Sequence, residues 1–240
     1  MSAVLLIARR ELAGYLRTLS GYVIIAVIVG IVGLLFNAEA VNRIQLSSQL
    51  LERFFWLTSG FVMVAAVLIS MRLLAEERQA GTLQLLYSSP ITDAEIVLGK
   101  YLSGLAFLAL LLACTAFMPA LIFINGKVSF GHIFTGYLGL LLLGSASIAI
   151  GTLGSALSRN QVLAAVVGGC LLVAMLISWW LAGVTESPLN QIFSALALWG
   201  QHFPPFMRGL VHLRDVVYYL AVTYAALFAA TRVLEARRWR

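Results

Sequence analysis

Charged residues are scarce in this 240-residue chain, in which Asp, Glu, Lys and Arg together make up only 11% of the positions. A soluble domain usually carries about a quarter of its residues as charges. The mean hydropathy of +0.96 points the same way. No cluster of Lys and Arg with interleaved aromatic residues is present, so the net charge of +6 does not indicate nucleic-acid binding. The composition predicts a polytopic membrane protein.

Ionisable residues are also missing from the middle of every long apolar run, and the chain lacks enzymatic motifs. A proton- or ion-coupled transporter would need such residues within the membrane. There is no H-E-x-x-H, no G-x-S-x-G and no embedded Asp pair, and we interpret His132, His202 and His212 as interfacial. No G-x-x-x-x-G-K-[ST] occurs, so any nucleotide is bound by another chain. We therefore predict no catalytic residue, no metal ligand and no bound cofactor.

The chain has only two cysteines, Cys114 and Cys170, and both fall within apolar runs. They give neither a disulfide framework nor a metal-binding spacing. Free cysteine behaves as a small apolar residue, so we predict that both are buried.

Six apolar runs are long enough to cross a bilayer when each includes a few flanking residues. They span residues 21–36, 54–71, 96–124, 128–158, 161–184 and 216–231. Backbone amides in lipid must be satisfied within a segment, and these runs are too long for barrel strands. The fold class is therefore an all-α polytopic membrane protein with six transmembrane helices. Lys100, one turn inside the third run, is predicted to extend back to the headgroups.

The Lys and Arg residues predict the orientation, because cytoplasmic flanks carry the excess of positive charge. With the amino terminus inside, eleven of the sixteen lie on the inner side and five on the outer side. Both termini and the polar stretch after the second run are then cytoplasmic.

Residues 1–20 show apolar positions three or four apart, opposite three arginines. The apolar positions are Leu5, Ala8, Leu12, Tyr15 (or Leu16) and Leu19. This pattern predicts a helix in the membrane interface. A secretory signal cleaved near Ala38-Glu39-Ala40 is the alternative, although the apolar run exceeds the usual length.

The fourth run carries a stripe of small residues at spacings of three and four. The stripe consists of Gly144, Ser147, Gly151 and Ser155, continued by Ser158. Small residues let helix backbones approach closely in lipid, so we predict helix packing at these positions. Lining of a substrate path is the alternative.

The polar insert, residues 72–95, lies between the second and third runs. Thr92 and Glu95 form a predicted capping box that begins the third helix after Pro90. Upstream, Glu76, Glu77 and Arg78 precede Gly81 and the positions of a short amphipathic helix, which are Thr82, Leu83, Leu86 and Tyr87. The apolar face of this helix either rests on lipid or docks in a groove of a soluble partner.

A second unusual stretch, residues 185–214, is too apolar for a solvated loop. Residues 189–199 are mostly apolar and have the length of an interfacial or re-entrant helix. Pro204 and Pro205 break any helix there, and Trp199, Phe203 and Phe206 suit an interface.

The polar insert resembles a motif of ABC-2-type transporter permeases, most of all the gliding-motility-associated and copper-enzyme-maturation branch. Gln79 stands where a second acid is common in that family. The matching positions are Glu77, Gly81, Thr82, Leu83, Leu85, Leu86, Ser89, Pro90, Thr92, Glu95, Gly99 and Lys100. The six-span layout extends the resemblance over nearly the whole chain.

The resemblance implies that the insert is a coupling helix that docks in a cleft of a separate ATPase subunit, which uses ATP and Mg. Glu76, Glu77 and Arg78 would steer docking, Leu83 and Leu86 would anchor it, and the other docking residues would be Gly81, Thr82 and Tyr87. It also implies a pair of re-entrant helices in residues 185–214 on the outside.

The expected assembly is an exporter in a bacterial inner membrane. A second permease copy completes the path, and an accessory subunit in the periplasm or membrane is a further candidate partner. Two other functions stay open: a membrane protein that uses an ATPase to act on an outside partner, and an ATP-independent channel or carrier.

Overall fold

The structure, a computed structural model, describes residues 3–42, 46–81, 91–126 and 128–238. Within these ranges the secondary structure is helical and contains no strand. The helices are α1 (Ala3–Arg17), α2 (Leu19–Asn42), α3 (Ser47–Leu73), α4 (Ala75–Gln79), α5 (Asp93–Thr115), α6 (Phe117–Asn125), α7 (Phe130–Leu157), α8 (Gln161–Val184), α9 (Leu189–Leu196), α10 (Pro204–Met207) and α11 (Leu213–Arg238).

Six helical segments in the described ranges are long and apolar enough to cross a membrane, which confirms the predicted fold class. Several helices extend beyond the predicted runs, because charged residues such as Glu52 and Arg232 continue the helix at its ends. The third run is divided into α5 and α6 at Ala116. Pro119 explains the break, since its ring clashes with the carbonyl four residues earlier, that of Thr115.

Helix α7 lies at the centre of the bundle and packs against α3, α5, α8 and α11. Its small residues make these contacts close. A side chain on Gly144 would collide with Leu108 of α5, and one on Gly151 would collide with Ser70 of α3. Ser147 and Ser155 of the same stripe are fully buried. The stripe therefore lies in helix contacts, as the packing interpretation expects.

One end of the bundle, which we call the insert end, is where α3 passes into α4 and α5 begins. Arg72 donates to the hydroxyl of Ser20 at the start of α2. Arg237 of α11 donates to the carbonyl of Leu157, the last residue of α7, at 2.7 Å. The start of α2 and the ends of α7 and α11 therefore lie together at the insert end.

The structure contradicts the sequence predictions for Lys100 and for the two cysteines. Lys100 is 1% exposed and does not extend to the headgroups. Cys114 and Cys170 are exposed on the outside of the bundle instead of buried, because each lies on a helix face that no other described helix covers.

Helix α1 packs along α5, so it is more than an interfacial helix. Gly99 permits this contact, because a Cβ there would lie 2.8 Å from the Ile7 side chain. Tyr15 is buried and stacks on Phe107. Leu5 and Leu19, two other members of the predicted stripe, are exposed.

At the opposite end, residues 197–203 form a mostly buried stretch between α9 and α10, which we call the inner turn. Trp199 donates to the Ser59 hydroxyl at 2.9 Å. Ser59 lies twelve residues into α3, a rise of about 18 Å from the helix start. The segment thus enters the bundle and returns. Phe203 and Phe206 are fully buried, so their predicted interfacial position is wrong.

Candidate functional site

The candidate site is the base of the polar insert, residues 75–81, which includes α4. Helix α4 follows α3 after Leu74 and ends at Gln79. Ala80 is its C-cap, and the next residue, Gly81, takes a φ of +72°. Glycine adopts this left-handed conformation without strain and commonly ends helices. No described atom lies within 4 Å of a Cβ at Gly81, so the space beside this glycine is open within the chain, and its docking role stays a prediction.

Buried Lys100 joins three elements at this base. Its Nζ lies 2.8 Å from Glu77 Oε1 of α4 and 3.2 Å from Glu11 Oε1 of α1. A buried ammonium is tolerated only when it is paired and hydrogen-bonded. The pairing of one ammonium with two carboxylates therefore fixes α1 and α4 to the start of α5.

Helix α7 holds α4 from the other side. The Ser155 hydroxyl accepts hydrogen bonds from the Ala75 amide at 2.9 Å and the Leu74 amide at 3.1 Å. Arg78 donates to the carbonyls of Ala156, at 3.1 Å, and Ser158. A side chain of α7 thus satisfies amides at the start of α4, and a side chain of α4 satisfies carbonyls at the end of α7.

Two further contacts tie α1 and α3 to the same base. Arg72 donates to both carboxylate oxygens of Glu76, at 2.9 and 3.1 Å. The Tyr15 hydroxyl donates to the Ile69 carbonyl at 2.9 Å. Burial raises the pKa of the Tyr15 hydroxyl above its usual value, so it remains a neutral donor.

The predicted capping box is present at the start of α5. The Glu95 amide donates to Thr92 Oγ1 at 3.3 Å, and the Thr92 amide donates to Glu95 Oε2 at 2.9 Å. The third spanning segment therefore begins sharply after the insert.

The structure gives partners within the chain to the three charged residues predicted to steer docking, Glu76, Glu77 and Arg78. Their docking role stays a prediction. The predicted anchors Leu83 and Leu86 lie outside the described residues, as do Thr82 and Tyr87.

Sequence reasoning missed the pairing partners of this base. Glu11 is the one acid in the first twenty residues, and Lys100 is the one cation of the third run. An isolated acid and an isolated cation in two predicted helices could have indicated that the two residues pair. The pairing depends on α1 folding onto α5, however, and the helical period does not specify that contact.

A recess of about 330 Å³ opens beside Lys100. Its walls carry both signs of charge, with no excess that would favour an anion or a cation. The described residues also contain no group of three His, Cys, Asp or Glu side chains that could hold a metal. The lining residues are Arg10, Glu11, Gly14, Tyr15, Thr18, Arg72, Glu76, Glu77, Ala80 and Lys100.

Comparison with known families gives one match. The family described as ABC-2 family transporter protein matches residues 5–238, which is nearly the whole chain. No curated protein matches the sequence.

Proposed function

The chain belongs to the ABC-2 transporter family, and from this premise we propose that it is the permease subunit of an ATP-driven exporter. A separate nucleotide-binding subunit would hydrolyse ATP with Mg, and its movement would drive transport through the membrane helices. The gliding-motility-associated and copper-enzyme-maturation branch is the proposed position within the family, on the strength of the insert motif.

The observation that carries the proposal is the bracing of residues 75–81. Buried polar contacts connect this short stretch to α1 and α5 through Lys100, and to α7 through Arg78 and Ser155. A loop that only joined two spans would not need such contacts. A push on the insert would instead move α1, α5 and α7 together, because packed elements transmit displacement as rigid bodies.

The docking surface proper is proposed to be the amphipathic helix of residues 82–87. Leu83 and Leu86 would enter a groove of the ATPase, with Thr82 and Tyr87 beside them. Glu76 would add charge recognition, since its side chain is 43% exposed despite its contact with Arg72.

The proposed assembly contains two copies of this chain and two ATPase subunits. The charge-free centres of the spans leave one copy with little polar surface to line a path. The proposed location is a bacterial inner membrane with both termini cytoplasmic, because eleven of the sixteen Lys and Arg residues lie on the side of the insert. An accessory subunit outside the membrane would serve a cargo that has to cross a further compartment.

Affinity purification of the tagged chain from its native membrane, followed by mass spectrometry and an ATPase assay, tests the proposal. We expect a nucleotide-binding subunit to copurify, and we expect a Leu83→Asp, Leu86→Asp variant to lose it while still inserting in the membrane. A Gln84→Asp, Ser88→Asp variant is the matched control, because it adds the same charge on another face of the helix.

Copurification that is unchanged in the Leu83→Asp, Leu86→Asp variant would refute the docking assignment. Recovery of the chain alone, with flux through vesicles that contain no ATP, would favour a channel or carrier.

A further inference from the structure

The inner turn, residues 197–203, is held inside the bundle by contacts from three sides. Trp199 donates to Ser59 of α3, and the Leu198 amide donates to the Met175 carbonyl of α8 at 3.4 Å. The Tyr219 hydroxyl of α11 donates to the Leu198 carbonyl at 2.9 Å. These hydrogen bonds all join neutral groups, which contribute modestly to stability.

A charged contact joins the same turn to α11. His202 Nδ1 lies 2.7 Å from Asp215 Oδ1, and the two side chains are 6% and 1% exposed. The His202 ring stacks on Tyr218 with centroids 3.8 Å apart. Asp215 is the third residue of α11, where the amides of the helix start favour a carboxylate.

Among the ion pairs of Asp215, the one with His202 has the shortest distance. His212 Nδ1 and Arg214 Nε each lie 3.6 Å from the Asp215 carboxylate, and both side chains are largely exposed. His202 Nε2 is buried and has no hydrogen-bond partner among the residues that the structure describes. The closed arrangement therefore leaves one polar atom of the pair unsatisfied.

We propose that His202 and Asp215 form a latch that positions the inner turn in its closed place and releases when the bundle opens at this end. Charge-assisted hydrogen bonds are about twice as strong as neutral ones, so the latch is the strongest polar contact of the turn. When the latch releases, water can hydrogen-bond to His202 Nε2. This new hydrogen bond offsets part of the free energy lost with the His202–Asp215 contact, so the contact can break and re-form. The role of this opening in transport rests on the proposed function, but the existence of the latch does not depend on it.

Thiol labelling tests the latch without an ATPase or a cargo. Cys114 and Cys170 are first replaced by Ala, and Ala197→Cys, at a fully buried position of the turn, becomes the reporter. The protein in lipid nanodiscs is treated at fixed pH with a charged methanethiosulfonate reagent. We expect Asp215→Asn and His202→Gln each to raise the labelling rate about tenfold or more, because each replaces the charge-assisted hydrogen bond with a weaker one.

Three comparisons keep the test specific. Arg208 follows α10 and forms an exposed pair with Glu52 of α3, in which the two side chains are 68% and 39% exposed. Arg208→Gln breaks this pair and should leave the labelling rate of Ala197→Cys unchanged. Gln201→Cys, at an exposed position of the turn, should label fast in every background. Ser147→Cys, buried in α7, should stay protected in every background.

Unchanged labelling of Ala197→Cys in both latch variants would overturn the proposal. Equal increases at Ala197→Cys and Ser147→Cys would also overturn it, because they would mean general loosening of the bundle. His202→Gln retains Asp215 beside Arg214 and His212, so it tests the latch even where Asp215→Asn fails to assemble. Loss of ATPase binding would leave this result unaffected, so the two proposals fail independently.

Discussion

Lys100 holds its charge where almost no water reaches it, and its two acidic partners do not share that burial. The Lys100 side chain is 1% exposed, whereas Glu77 and Glu11 are 16% and 24% exposed. Loss of the carboxylates would strand a buried ammonium, and loss of the ammonium would leave carboxylates that water still reaches. The two changes should therefore differ in cost.

Replacing both acids, as Glu11→Gln with Glu77→Gln, should destabilise the protein by about 3 kcal/mol or more, because Lys100 is left without an opposite charge. At about 3 °C per kcal/mol, the unfolding midpoint should fall by about 10 °C. Lys100→Met, which keeps the length of the side chain, should lower the midpoint by less. Thermal unfolding in detergent, followed by tryptophan fluorescence, measures both.

Glu235→Gln is the matched control for these variants, since it breaks an exposed pair with Arg232 at the same end of the bundle. Its midpoint should stay close to that of the native chain. A larger fall for Lys100→Met than for the double acid variant would show that packing of the lysine stem, and not its charge, dominates at this position.

Helices α7 and α8 meet through their backbones, and glycine is what allows this contact. A Cβ on Gly154 of α7 would lie 2.6 Å from the Gly168 Cα of α8. Backbone cannot move aside as the end of a flexible side chain can. Gly169, the next residue of α8, has no neighbour within 4 Å of a Cβ. The two glycines therefore separate the effect of close packing from that of helix propensity.

Gly154→Ala should destabilise the bundle by about 1–3 kcal/mol, because α7 and α8 must separate. Gly169→Ala should be neutral or stabilising by up to about 1 kcal/mol, since it only removes backbone freedom. Unfolding midpoints of the two single variants provide the comparison. Equal midpoints would contradict the backbone contact between the two helices.

The elements could be predicted from the sequence wherever the signal is local. Charge-free runs predicted six spans because a helix in lipid must satisfy its own backbone. The capping box at Thr92 and Glu95 needs only four adjacent residues. Pro119 is the local signal for the break after Thr115, although the apolar run continues through it without interruption. Small residues at Gly144 and Gly151 predicted packing without specifying that α5 and α3 would be their partners.

Contacts between distant elements are what the sequence could not supply. His202 and Asp215 are thirteen residues apart, yet their pairing requires the inner turn to fold back into the bundle. Glu11 and Lys100 are separated by 89 positions. The hydropathy of both sites resembles that of an ordinary interface, so His202 and Lys100 were interpreted as interfacial. Charged groups become buried pairs only after packing has removed water from both.

The two charged sites lie at opposite ends of the molecule, and α7 runs between them. Arg78 and Ser155 bind the insert base to the last turns of α7. At the other end, the His132 ring contacts the Met207 carbonyl of α10 at 2.7 Å. If α7 moves as a rigid helix, movement of the insert reaches the segment that contains the inner turn. Coupling between the two ends therefore depends on the whole bundle, and it can be measured as a response at the inner turn to a change at the insert.

In the proposed complex with an ATPase subunit, addition of ATP should raise the labelling rate of Ala197→Cys, and Arg78→Gln should reduce that response about tenfold. The reason is that glutamine cannot reach both carbonyls that the guanidinium binds, those of Ala156 in α7 and Ser158 just after it, so α4 would move without carrying α7. Arg232→Gln, which removes a cation from the surface of α11, should keep the full response. ATP hydrolysis measured in the same samples separates failure of docking from failure of transmission. A full labelling response in Arg78→Gln would mean that the push travels through Lys100 and α1 instead of α7.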